Sequence, residues 1–167
     1  KDMQDTLPIH FAPLQGYTEA IYRNAHDAFF GGVDTYYTPF VRLEKGNFRR
    51  RDVRGIEPEN NGVPHLIPQL IASSAEKAEV ILSLFIEKGY QEVDINLGCP
   101  FPLLAKRHNG SGILPYPEEV KALLSIVTRY PQISFSVKMR LGWEQPDECL
   151  ALAPILNDLP LRQITMH

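Results

Sequence analysis

The stretch Asp94-Ile-Asn-Leu-Gly-Cys-Pro100 decides the fold. With Glu92 and Val93 before it, it reads as a strand from Glu92 to Leu97 that ends on a Gly98 turn carrying Cys99. Upstream lies an amphipathic helix that Ser73 or Ser74 caps and that runs to Lys88. Ala75, Ala78, Ile81, Leu82, Phe85 and Ile86 share one of its faces, and Gly89 stops it. Before that helix, His65–Ile71 reads as a strand. Downstream, Pro117 suits the first turn of a helix that ends near Tyr130. A strand at Ser134–Met139, a short helix over about Asp147–Asn157 and a strand at Gln163–His167 follow. Toward the N-terminus, Asp34–Phe40 is β-rich, Thr18 is placed to cap a helix running to about Phe30, and Ile9–Leu14 reads as a strand. Leu43–Pro64 breaks the rhythm. It is rich in charge and turn residues and reads as an extended loop or small hairpin.

Strand and helix alternate, which predicts parallel β/α units with right-handed crossovers. A doubly wound sheet and a barrel both satisfy that rhythm. The barrel is favoured because no GxGxxG follows the first strand. In addition, Gln69, Asn96 with Cys99, Lys138 with Arg140, and His167 recur at the C-terminal ends of strands, where a barrel gathers its active site. The expected class is therefore α/β, a (β/α)8 TIM barrel of which about six strands of the required eight are present. The chain stops on a strand at His167. Residues 1–167 are accordingly expected to be the N-terminal part of a barrel domain, with the later units absent. Exposed edges would make such a fragment self-associate.

Composition narrows the function. The chain has 167 residues, 44% hydrophobic and 22% charged, with a formal net charge of -3 and a pI near 6.0. A globally basic nucleic-acid binder is excluded, so any RNA contact would use a local patch. The two cysteines, Cys99 and Cys149, form no CxxC pair, and no His/Cys cluster has zinc spacing, so no metal is expected. No apolar run approaches the roughly 18–20 residues of a membrane span, and no signal peptide is visible. A cytoplasmic protein with free thiols is the expectation.

Cys99 admits two readings: an inert buried thiol, or a proton donor held beside a reduced cofactor. Lys138 lies in an apolar strand and shares a face with Ser136 and Arg140. It would meet either an anionic or carbonyl ligand such as a flavin edge, or a nearby acid such as Asp94. Gln69 is a ligand contact or a satisfied core amide, and His167 a site residue or a surface one. Asn109-Gly-Ser-Gly112 reads as a flexible loop over the site rather than a phosphate nest. The Lys45–Arg54 run and Lys106-Arg107-His108 are the candidates for RNA phosphate contact.

Taken together these motifs resemble the tRNA-dihydrouridine synthase family. Phe11-Ala-Pro-Leu-Gln-Gly-Tyr-Thr18 resembles its opening motif, Pro68-Gln-Leu70 its third strand, and Asp94–Pro100 its "D-x-N-x-G-CP". Asn109–Gly112 resembles the glycine-rich segment that follows, Ser136–Trp143 resembles "VK-x-R-x-GW", and His167 falls on the histidine of "HxR". The resemblance implies an FMN-bound barrel that uses NADPH to reduce uridine in tRNA to 5,6-dihydrouridine. It implies Cys99 as the catalytic acid, Ala12, Pro13, Leu14, Gln69, Lys138 and His167 as flavin contacts, and Asn96 and Arg140 as holders of flavin or uracil. A helical tRNA-binding domain would follow the barrel. After Pro100 the family commonly has a lysine and a valine, whereas this chain has Phe101-Pro-Leu-Leu-Ala105. Two other readings compete. A dihydroorotate dehydrogenase also places a cysteine near an Asn-x-x-Cys-Pro turn, but Val137-Lys-Met-Arg-Leu-Gly-Trp143 argues against it. An inactive half-barrel that binds FMN poorly is the other.

Overall fold

The computed structural model describes residues 7–167. In chain order the elements are β1 (His10–Phe11), α1 (Ala20–Phe29), β2 (Thr35–Tyr37), β3 (Leu43–Glu44), β4 (Asn47–Phe48), α2 (Arg50–Ile56), β5 (Leu66–Ile67), β6 (Gln69–Leu70) and α3 (Ala75–Glu87). Then come β7 (Glu92–Leu97), α4 (Pro102–Ala105), α5 (Pro117–Leu124), α6 (Ile126–Arg129), β8 (Ser134–Met139), α7 (Glu148–Asn157) and β9 (Gln163–Met166). Short 3-10 turns cover Pro58–Asn60 and Gly110–Ile113.

The protein is α/β, with parallel strands in two sheets that follow chain order. One sheet is β1-β2-β5 and the other β6-β7-β8-β9. The expected strand at His65–Ile71 is split between them at Pro68, which has no N–H for a ladder. Val41 spans the break: its N–H donates to the Gln69 carbonyl, and its carbonyl accepts from Ile71 N–H.

The longest strands, β7 and β8, show why the site lies where it does. Alternation puts Val93, Ile95 and Leu97 on one face of β7, and Phe135, Val137 and Met139 on the matching face of β8. All six are fully buried in one core with the inner faces of α3, α5 and α7. The opposite face is polar. Register sets Gln69 beside Asp94, Asp94 beside Ser136 and Asn96 beside Lys138. In α3, Ser74 caps by accepting from Lys77 N–H, and Ala75, Ala78, Ile81, Leu82 and Phe85 are buried. Ile86 remains 38% exposed, at the edge of that face. Gly89, at φ +86°, ends the helix in the left-handed region that glycine enters freely.

Four expectations need correction. Thr18 does not cap α1: its hydroxyl accepts from Leu14 N–H at 2.8 Å, closing the turn before the helix, and Glu19 stands at the N-cap. Leu43–Pro64 does contain the small hairpin of one reading, the antiparallel β3–β4 pair, but the rest is not an extended loop: it forms α2 and a 3-10 turn. The reason is tertiary: buried Arg23, from α1, donates to the Gly55 carbonyl and to Asn61 Oδ1, and Tyr90 donates to the Ile56 carbonyl at 2.7 Å. The helix from Pro117 breaks at Ser125 into α5 and α6. Finally, the segment around Asn109–Gly112 is no flexible loop, since Gly110, Ser111, Gly112 and Ile113 are all buried.

Candidate active site

One cleft of about 170 Å³ opens at the C-terminal ends of β6, β7 and β8. Pro13 and Leu14 line it from the loop after β1, and Phe40 from the segment after β2. Gln69, Asn96, Cys99, Lys138, Arg140 and His167 come from the strand ends. Of the residues expected at the site, Ala12 alone is not in the lining; it is exposed beside it.

Cys99 is a free, half-buried thiol whose turn is held from three sides. Asn96 Oδ1 accepts from both Gly98 N–H (3.0 Å) and Cys99 N–H (2.9 Å), an Asx turn built by the strand's own last polar residue. Arg140 Nε donates to the Gly98 carbonyl at 2.8 Å. From the third side, Ser111 donates to the Cys99 carbonyl through both its N–H and its hydroxyl, each at 3.0 Å. Gly110 lies so close that a Cβ there would sit 2.5 Å from the Cys99 carbonyl oxygen. The thiol itself packs against Phe40, Ile71 and Leu104.

Beneath this turn runs a buried polar chain. Asn96 Nδ2 donates to Gln69 Oε1 (2.8 Å), and Gln69 Nε2 donates to Asp94 Oδ2 (2.7 Å). The Ser136 hydroxyl donates to Asp94 Oδ1 (2.5 Å). Asp94 is 2% exposed. Burial pushes its carboxyl above the usual carboxylate range, while the bonds from Ser136 and Gln69 and the charges of Arg162 and Lys138 pull it back. Gln69 is thus a bonded core amide as well as a lining residue.

Lys138 does not pair with Asp94, whose two oxygens accept from Gln69 and Ser136 instead. Among the described residues Lys138 makes no ion pair. Its ammonium is half-buried, and its pKa is lowered by burial; Asp94 opposes that shift and Arg140 adds to it. His167 is exposed and held below the usual imidazole range by the positive charges of Lys138 and Arg140. The cleft therefore presents a thiol and an imidazole beside two cations, and it favours a ligand edge that carries or develops negative charge.

Asp94, Ser136 and Ser111 are positioning residues that the sequence reading quoted within its motifs but did not count among the site residues. For the first two, a signal was available: they follow the period-two alternation on the polar face of β7 and β8. Of the phosphate candidates, Arg49 is bonded to Asp52 through both Nε (2.8 Å) and Nη2 (2.9 Å). His108 is bonded to Glu119 and stacked on Tyr116, with ring centroids 4.1 Å apart. Among the described residues no helix is long and apolar enough to cross a membrane, and no group of three or more candidate ligands could hold a metal ion.

The "tRNA-dihydrouridine synthase B" of Klebsiella pneumoniae is 29% identical over 100 residues, covering 59% of this chain and 31% of that protein. The "Probable tRNA-dihydrouridine synthase 1" of Synechocystis sp. is 28% identical over 163 residues, covering 93% of this chain and 44% of its own length. The "tRNA-dihydrouridine(16) synthase" of Haemophilus ducreyi is 28% identical over 176 residues, covering 95% and 51%. The chain thus spans about half or less of the length of these relatives. The family model for dihydrouridine synthase (Dus) matches residues 10–167, a span that holds the whole cleft, and the chain belongs to that family.

Proposed function

We propose that the whole protein carrying this chain is a cytoplasmic enzyme that reduces uridine in tRNA to 5,6-dihydrouridine, with FMN as cofactor and NADPH as electron source. In this reading residues 1–167 are the N-terminal part of a flavin-binding (β/α)8 barrel. Further barrel units and a helical tRNA-binding domain make up the remaining length seen in the relatives. One observation carries the proposal: the Cys99 thiol and the unpartnered Lys138 ammonium line the same cleft, within the span that matches the family.

The lining fits a flavin. Pro13, Leu14 and Phe40 offer apolar walls for a flat ring, with Ala12 beside them. Gln69 still has one amide hydrogen and one lone pair after its bonds to Asp94 and Asn96. A half-buried, unpartnered lysine is costly unless a ligand brings negative charge or a carbonyl to it, and the N1–C2=O edge of a flavin does so. His167 would be a further contact.

Pro13, Leu14, Phe40, Gln69, Lys138 and His167 would hold FMN, which would supply the hydride for uracil C6. The chain's part is to deliver a proton and hold geometry. Cys99 gives its thiol proton to C5 as the C5–C6 double bond is lost, leaving a thiolate that solvent reprotonates. Asn96 fixes the Cys99 turn. Arg140 fixes it through Nε and keeps its terminal amino groups for the uracil. Uracil must leave its stack to reach this cleft.

The test is Cys99→Ala in the whole protein, with dihydrouridine measured by mass spectrometry of tRNA. Loss of a positioned acid should lower product formation by about 10²–10⁴-fold while the yellow flavin stays bound. Undiminished product would overturn the assigned role.

A further inference from the structure

We infer that the groove between the β3–β4 hairpin, α3 and the loop after α4 is a docking site for the ribose-phosphate backbone of an RNA substrate. The groove has a volume of about 290 Å³. Its cations come from three segments distant in sequence: Arg42 and Lys45 flank or tip the hairpin, Lys77 lies in the first turn of α3, and Arg107 follows α4. No carboxylate lines it, and Ile71, Ala72, Ile81 and Leu104 supply apolar contact. In a chain of net charge -3, four cations around one groove are a local concentration rather than a reflection of composition.

These cations differ from the others in how they are used. Arg49, Lys88, Arg129 and Arg162 are paired with Asp52, Glu57, Glu79 and Glu92. Lys45, Lys77 and Arg107 enter no ion pair among the described residues. The Lys77 ammonium meets only the neutral Ser73 hydroxyl, at 3.0 Å. Arg42 does pair with Glu44 at 3.2 Å, yet its Nε is buried with no partner. A groove with three unpaired cations and no carboxylate in its lining suits a polyanion.

Position points to the substrate backbone. Ile71 and Leu104 line the groove and also form, with Phe40, the cluster against which Cys99 packs. An RNA strand held there lies beside the cleft that must receive its base. A nucleotide turned out of its stack needs its flanking phosphates gripped. That RNA is the ligand rests on the function proposed above.

The whole protein carrying this chain and its Lys45→Ala/Lys77→Ala/Arg107→Ala variant would be titrated into a labelled, unmodified tRNA transcript. Anisotropy would be followed across about 50 to 200 mM salt. Each phosphate contact contributes about 0.7–0.9 to the slope of log affinity against log salt, so the variant should lose about two to three from that slope and bind about tenfold or more weakly. An unchanged alkylation rate at Cys99 would show that the variant keeps its fold. Equal slopes and affinities, or no binding by the parent protein, would overturn the inference. So would inorganic phosphate competing as well as tRNA at equal phosphate concentration, which would assign the groove to free phosphate. Binding through the groove, combined with no dihydrouridine formed by the whole parent protein supplied with FMN and NADPH, would keep the groove and sink the redox reading.

Discussion

Beneath Cys99, polar groups are spent on one another: Asn96 on Gln69, Gln69 and Ser136 on Asp94, Ser111 and Arg140 on the Cys99 turn. On the other side of Ile71 and Leu104, Lys45 and Arg107 are spent on nothing in the described structure. Both regions are polar, but they serve different ends. A buried hydrogen bond adds only about 1 kcal/mol, yet leaving its partner unsatisfied costs about 1–3 kcal/mol, so a closed network holds one geometry. An exposed cation contributes little to stability, within about 0.5 kcal/mol, but its field reaches about 10 Å into solution. The Cys99 side is built for placement and the groove side for attraction.

Three changes test that contrast, starting with the largest effect. Gly110→Ala would put a Cβ 2.5 Å from the Cys99 carbonyl oxygen, at a φ of +60° that side chains rarely adopt. Overpacking and strain together should cost about 2–4 kcal/mol in chemical denaturation, and the alkylation rate of Cys99 should change with it. A variant within about 0.5 kcal/mol of the parent would mean that the turn is not closed around Cys99.

Next is Arg23→Met, which tests the scaffold under the groove side. Arg23 is fully buried and donates to the Thr18 and Gly55 carbonyls and to Asn61 Oδ1. Burial already lowers its pKa to about 10, so part of the loss is offset by relief of desolvation. The expected net cost is about 1–3 kcal/mol, with faster amide exchange over residues 50–61. Parent-like exchange there would show that the segment holds itself.

The smallest effect is electrostatic. Lys138→Met should raise the His167 pKa toward the ordinary imidazole value, because Lys138 is the largest cause of its depression. The sign follows from linkage. A depressed imidazole binds its proton later in the folded state than in the unfolded one, so stability is lost as pH falls through the ordinary histidine range. The variant should lose less there. An NMR titration of His167 with an unmoved midpoint would remove Lys138 from its surroundings.

Much of the frame is legible in the sequence. β7 and β8 run from the first to the last residue expected of them, because apolar and polar residues alternate strictly and the apolar face of each is fully buried. The cap and stop of α3 were also legible, since Ser74 and Gly89 act through their own backbone. What failed was whatever depended on a distant partner. Thr18 looked like a cap until Leu14 claimed its hydroxyl. Residues 43–64 have the composition of a loop, and they fold because Arg23 and Tyr90 reach them from α1 and from just before β7. The run around Asn109–Gly112 looked flexible because it is glycine-rich, but its glycines serve close approach to Cys99 and Ala105.

The sequence by itself determined the order of parallel β/α units, the family and the line of polar residues at strand ends, because these depend on local periodicity and short motifs. Only the tertiary structure decided who bonds to whom. It gave Asp94 to Gln69 and Ser136 rather than to Lys138, left Lys138 facing the cleft, and set Ser111 on the Cys99 carbonyl. It also brought Lys45, Lys77 and Arg107 to one groove. The physical reason is that a hydrogen bond or a local field depends on distances of a few ångströms, and distances between residues far apart in sequence are set by packing rather than by the local pattern.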